Sequence, residues 1–160
     1  MKIEYFHGSK YGDGAAVAEE FKQQMAARGV SVDVHHIKNT KAKEIPPANL
    51  YLFSSPGRMG NPTWRVTRFL KKLKLPPGTK YAILTTEGAP VPDKKTGRLP
   101  TEEERAKWQR VIPKMNKILQ GKGLAKVAEG KVYVLGMKGP LEEGWQKKVE
   151  AFAAVIPALP

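Results

Sequence analysis

The chain reads as a doubly wound α/β protein, with a five-stranded parallel sheet between two layers of helices. Three observations predict this. Short apolar runs at residues 3–6, 30–34, 50–53, 81–84 and 132–135 have strand character, and 30–34 (Val-Ser-Val-Asp-Val) alternates strictly. Stretches with apolar residues at helical spacing separate the runs. Gly-containing loops follow the first, third and fourth runs. Sheets of this class bind ligands beyond the C-terminal ends of their strands.

The elements follow in order. Residues 2–6 form the first strand. A helix over 15–28 then buries Val17, Phe21 and Met25, four apart, and stops at Gly29. Two strands separated by a helix make a parallel βαβ unit. Pro46-Pro47 marks a loop, and Leu50-Tyr51-Leu52-Phe53 suits a central strand buried on both faces. The next helix buries Val66, Phe69, Leu70 and Leu73. Its basic residues Arg65, Arg68, Lys71, Lys72 and Lys74 are expected on a solvated face, and Pro76-Pro77-Gly78 ends it. Tyr81-Ala82-Ile83-Leu84 is the fourth strand, with a long loop expected over 85–100. Thr101-Glu102-Glu103-Glu104 is a capping box. The helix after it carries Trp108, Val111, Ile112, Met115 and Leu119 on its apolar stripe, and Pro113 should kink or divide it. The fifth strand, 132–135, precedes a closing helix marked by Trp145, Val149, Phe152 and Ile156. All three tryptophans are read as core. No repeat or linker interrupts the chain, which is read as one domain over 1–160.

Composition narrows the chemistry. Cysteine is absent, which excludes disulfides, iron–sulfur clusters, Cys-ligated zinc and thiol catalysis. His7, His35 and His36 have no carboxylate at a familiar metal-ligand spacing, so they are read as exposed strand-end residues and no metal site is expected. No apolar stretch approaches membrane-spanning length, and no leader is read at the N-terminus, so a cytoplasmic protein is expected. The net charge of +13 favours anionic partners. The basic residues are spread along the chain rather than gathered into one tract, which argues against nucleic acid as the main partner. No nucleophile–base pair for hydrolysis and no dinucleotide fingerprint is present.

Three loops carry the functional signal. Ser9-Lys10-Tyr11-Gly12-Asp13-Gly14 joins the first strand to its helix, the layout that exposes backbone N–H groups to a phosphate. It resembles the flavodoxin phosphate loop, Ser/Thr-x-Thr-Gly-x-Thr, with Tyr11 at the second hydroxyl position. Gly14 replaces the last hydroxyl residue, and Asp13 adds a negative charge. Residues 50–62, ending Ser54-Ser55-Pro56-Gly57-Arg58-Met59-Gly60-Asn61-Pro62, are similar to the flavodoxin strand, Pro, Gly-loop and helix pattern. Met59-Gly60-Asn61 resembles the flavin loop of short-chain flavodoxins. Thr85-Thr86-Glu87-Gly88-Ala89-Pro90 stands where their third flavin loop lies.

The resemblance runs through the whole chain in element order. It implies a flavodoxin-like three-layer sandwich, strand order 2-1-3-4-5, and flavin mononucleotide (FMN) as ligand. Ser9, Lys10, Tyr11, Gly12, Asp13 and Gly14 would surround the phosphate. Ser55, Pro56, Gly57, Arg58, Met59, Gly60 and Asn61 would line one side of the isoalloxazine, and Thr86, Glu87, Gly88, Ala89 and Pro90 would close its pyrimidine end. Met59 would pack on a ring face, Gly60 would let its peptide turn toward flavin N5, and Arg58 would stabilise an anionic reduced flavin. The implied function is electron transfer with a redox partner protein. Carrier flavodoxins are typically acidic, and this chain is basic, so the partner is expected to present an acidic surface. The alternatives are a flavodoxin-like NAD(P)H-dependent flavin oxidoreductase and a basic nucleic-acid-binding module without flavin.

Overall fold

The computed structural model describes residues 1–159. Strands β1 (Lys2–His7), β2 (Ser31–His36), β3 (Leu50–Ser54), β6 (Lys80–Gly88) and β7 (Ala125–Val134) form one sheet in the order β2-β1-β3-β6-β7, all pairs parallel. Two-residue strands β4 (Gly57–Arg58) and β5 (Asn61–Pro62) form a separate hairpin. With those set aside, the order is the expected 2-1-3-4-5.

The helices are α1 (Asp13–Ala26), α2 (Trp64–Lys72), α3 (Glu102–Ala106), α4 (Val111–Gly121) and α5 (Trp145–Val155). Alternation along each strand divides the core into two layers. Ile3 and Tyr5 of β1 join Val17, Phe21 and Met25 of α1 and Val149 and Phe152 of α5 on one face. Phe6, from the same strand, joins Phe53, Val66, Phe69 and Leu70 on the other, where Val111, Met115 and Leu119 of α4 complete the packing.

Several boundaries differ from expectation. β6 runs on to Gly88, so Thr85, Thr86 and Glu87 belong to the strand and the long connection starts at residue 89. β7 starts at Ala125 rather than near residue 132. The fourth helical stretch is divided: α3 carries the capping box, with Thr101 Oγ1 accepting from the Glu104 N–H, and α4 starts at Val111. Pro113 thereby falls in the first turn of α4, where its missing N–H leaves no bond unmade. Only Trp145 of the tryptophans packs against the core; Trp64 and Trp108 are exposed. Among the described residues, no helix is long and apolar enough to cross a membrane.

Candidate functional site

The chain leaves β1 through a turn held from beneath by two histidines. His7 is buried, not exposed, and its Nδ1 accepts the Ser9 N–H at 3.2 Å. His36 Nδ1 accepts the Lys38 N–H, so its Nε2 carries the proton and donates to the Ser9 carbonyl at 2.7 Å. The rings meet edge to face, 4.9 Å apart. Burial and the neighbouring His36 push the His7 pKa down to about 4, so His7 is neutral near pH 7. His35 is also engaged, against the buried Glu4 carboxylate.

Ser9 then folds back, and its Oγ accepts the Gly12 N–H at 3.1 Å. Gly12, at φ 98°, is the N-cap of α1 and makes no side-chain cap. Asp13 is the first helical residue, an acid well placed at a helix N-terminus. Its carboxylate is turned toward Gly139 of the β7–α5 connection, where an added Cβ would lie 2.9 Å from Oδ1. A Cβ on Gly14 would come within 3.1 Å of the Ser9 Cβ, so glycine there is what lets Ser9 fold back. The backbone N–H groups of Lys10, Tyr11, Asp13, Gly14 and Ala15 make no hydrogen bond within the described residues. Lys10 and Lys138 place their ammonium groups 5.3 and 5.6 Å from the Tyr11 ring centroid. The loop is therefore cationic and rich in free donors.

The second connection is a hairpin rather than a plain loop. Met59 (φ 52°) and Gly60 (φ 79°) sit between β4 and β5, and positive φ at both central residues is the type I′ pattern. Gly60 suits that geometry; Met59 is strained by it, and its side chain is 91% exposed. The Gly60 carbonyl accepts the Arg110 N–H at 2.7 Å, the Asn61 amide donates to the Met59 carbonyl at 3.2 Å, and Lys114 donates to Asn61 Oδ1. Arg58 is exposed. Ser55 is fully buried: its hydroxyl donates to the Pro56 carbonyl and accepts the Thr63 N–H, so its side chain secures the loop base.

The third segment is tied to the second. The Ser55 carbonyl accepts the Thr86 N–H at 3.2 Å, and Pro56 bridges to Thr86. Thr86 and Glu87 are buried. Glu87 Oε2 accepts the Thr85 hydroxyl at 2.6 Å and lies 3.7 Å from the Lys131 ammonium. Glu87 thus supports the hairpin from below, with its Cγ 3.2 Å from where a Gly57 Cβ would be. Gly88 is exposed, and the Ala89 N–H is held by the Val134 carbonyl, leaving Gly88, Ala89 and Pro90 as the rim.

No family model and no curated protein sequence matches the chain. Solved structures do. A flavodoxin of Streptococcus pneumoniae superposes with a TM-score of 0.70 at 16% identity, covering 98% of this chain and 97% of its own. Oxidised Flavodoxin 2 of Bacillus cereus gives 0.70 at 18%, covering 97% of each chain. A short-chain flavodoxin associated with a PDU bacterial microcompartment gives 0.69 at 14%, covering 98% of this chain and 96% of its own. The fold is flavodoxin-like.

In this flavodoxin-like frame the phosphate-type turn, the hairpin and the β6 rim share one edge of the sheet. Exposed apolar side chains gather there too. Tyr11 lies after β1, Met59 after β3, Val91 and Leu99 after β6, and Leu135 and Met137 after β7; Trp64 opens α2, and Trp108 sits against the hairpin. Among the described residues, Val155 is the only large exposed apolar side chain elsewhere. Exposed apolar side chains at the same end of the sheet as free N–H donors suit a ligand with an aromatic body and an anionic tail. Five contributors were not legible in the sequence: His7, His36, Lys138, Trp108 and Arg110. His7 and His36 act through ring nitrogens bonded to the turn's backbone, and Trp108 and Arg110 through their own backbone groups; none of these carries a motif.

Proposed function

We propose that the chain is a single FMN-binding domain that carries electrons between partner proteins. The observation that carries this reading is the set of free N–H groups at Lys10, Tyr11, Asp13, Gly14 and Ala15, on the positive end of α1, with exposed apolar side chains at the same end of the sheet. A phosphate fits that set. Lys10, Lys138 and the Tyr11 hydroxyl add charge and a donor, and the two ammonium groups offset the Asp13 carboxylate, which lies against Gly139.

When bound, the flavin supplies the redox chemistry. The protein's residues bind and orient it. Met59, held outward by its strained backbone, offers a polarisable sulfur to the ring. Arg58 gives a cation near the hairpin, and residues 88–90 close the far rim. The Gly60 carbonyl is tied to Arg110, so a reorientation of that peptide has to release a 2.7 Å hydrogen bond. The partner is a redox protein with an acidic surface, matching the net charge of +13.

Titrating the protein with FMN, followed by flavin absorption and fluorescence, tests the reading. A one-to-one end point is expected. A protein that leaves the flavin spectrum unchanged would overturn it.

A further inference from the structure

Beside this edge, on the α2 side of the sheet, runs a groove of about 670 Å³ between α2 and the segment after β2. Its floor is the buried side chains of Ile37, Ala42 and Phe69. Its walls carry Lys38, Lys41, Lys43, Arg65, Arg68 and Lys72, all exposed. Glu44 is the sole acid among the lining residues, 3.9 Å from Lys41; among the described residues the other five cations have no carboxylate within ion-pair distance. Trp64 stands at the groove's upper end, two-thirds exposed, with the Arg68 guanidinium 5.8 Å from its ring centroid. The groove adjoins the site: an added Cβ on Gly8, at the start of the first loop, would meet Val66 of α2 at 2.7 Å and Ile37 of the floor at 3.3 Å.

We propose that this groove docks an acidic segment of a partner protein beside the flavin edge. The role given to that partner rests on the FMN reading above; the binding surface itself does not. Unpaired cations gain most from an opposite charge brought against them, and an exposed tryptophan beside an apolar floor gives that contact its centre. The lining favours a peptide segment over a nucleic acid: Trp64 is the groove's one exposed ring and Phe69 is buried in the floor, whereas single-stranded nucleic acids are bound by stacking successive bases on successive aromatic side chains.

The test measures binding of a fluorescein-labelled deca-glutamate peptide, and separately of a labelled ten-nucleotide oligo(dT), to the purified chain with and without FMN. Arg65→Glu with Lys72→Glu should weaken peptide binding at least tenfold. Lys22→Glu with Lys147→Glu changes the net charge equally on α1 and α5, across the sheet, and should weaken it less than threefold. Trp64→Ala, which leaves the charge alone, should weaken it about fivefold. Circular dichroism and FMN titration on each variant separate loss of the groove from loss of the fold or of the flavin site. Equal weakening by the two charge-reversed pairs would overturn the groove as the docking surface. Tighter, groove-dependent binding of oligo(dT) would overturn the acidic-protein assignment in favour of nucleic acid. If FMN fails to bind while peptide binding stays groove-dependent, the flavin reading falls and the docking surface stands.

Discussion

The carbonyl oxygen of Trp108 occupies the space beside Gly60 so closely that a Cβ built there would lie 1.6 Å from it. The contact, with the hydrogen bond from Arg110 to the Gly60 carbonyl, docks the α3–α4 connection on the hairpin. Gly60→Ala should separate the two. Left-handed strain of about 1–2 kcal/mol adds to the displaced backbone contact. A loss of at least 2 kcal/mol is expected in denaturant unfolding, with faster hydrogen exchange at the Arg110 amide. A variant as stable as the parent would contradict the packing.

Met59 presents the opposite case. Its φ of 52° costs energy that glycine would not incur, and its exposed side chain returns little to the fold. Met59→Gly should raise stability by about 1 kcal/mol while weakening FMN uptake severalfold. A variant that gains stability and keeps full FMN affinity would remove Met59 from the ring contact.

His7 ties stability to pH. Its folded pKa of about 4 lies below the ordinary 6.5, so between these values the unfolded chain binds more protons. The contribution is therefore fully present above pH 6.5 and is lost as pH falls toward 4. Its ceiling is about 3 kcal/mol. His7→Gln keeps an acceptor for the Ser9 N–H and removes the titration. Between pH 7.5 and 4.5 the parent should lose about 2 kcal/mol more than this variant in denaturant unfolding. Equal losses would show that His7 is not protonated on unfolding.

Asp13 bears on how a negative charge is accommodated at the turn. Because its carboxylate faces Gly139, Asp13→Asn should change FMN affinity less than threefold, at a stability cost of about 0.5 kcal/mol from the lost helix-dipole interaction. A tenfold gain in affinity would place the carboxylate against the phosphate.

The layering and strand order were legible because the central strands are apolar on both faces and their connections contain glycine. The misread parts have physical causes. Thr85, Thr86 and Glu87 look like loop residues, yet they are buried in β6 because Thr85 and Lys131 satisfy the Glu87 carboxylate. Edge strand β7 pairs only with β6 and leaves residues 125–131 partly in solvent, so its start lacks the apolar run that marks a central strand. Trp64 and Trp108 fall at helical spacing, but one opens its helix and the other precedes one, where the buried face is not yet established. The turn at residues 9–14 was readable from its glycines. Its support by His7 and His36 was not, because it depends on β1 and β2 lying side by side with His7 opposite His36.

FMN and riboflavin share a ring system and differ in the phosphate, so titrating the protein with both isolates the role assigned to residues 9–15. FMN should bind at least a hundredfold more tightly, about 2.7 kcal/mol. Gly12→Val, which strains the turn at φ 98° although space is open around that carbon, should abolish most of the difference while leaving riboflavin affinity nearly unchanged. Equal affinity of the parent protein for FMN and riboflavin would place the phosphate away from this turn.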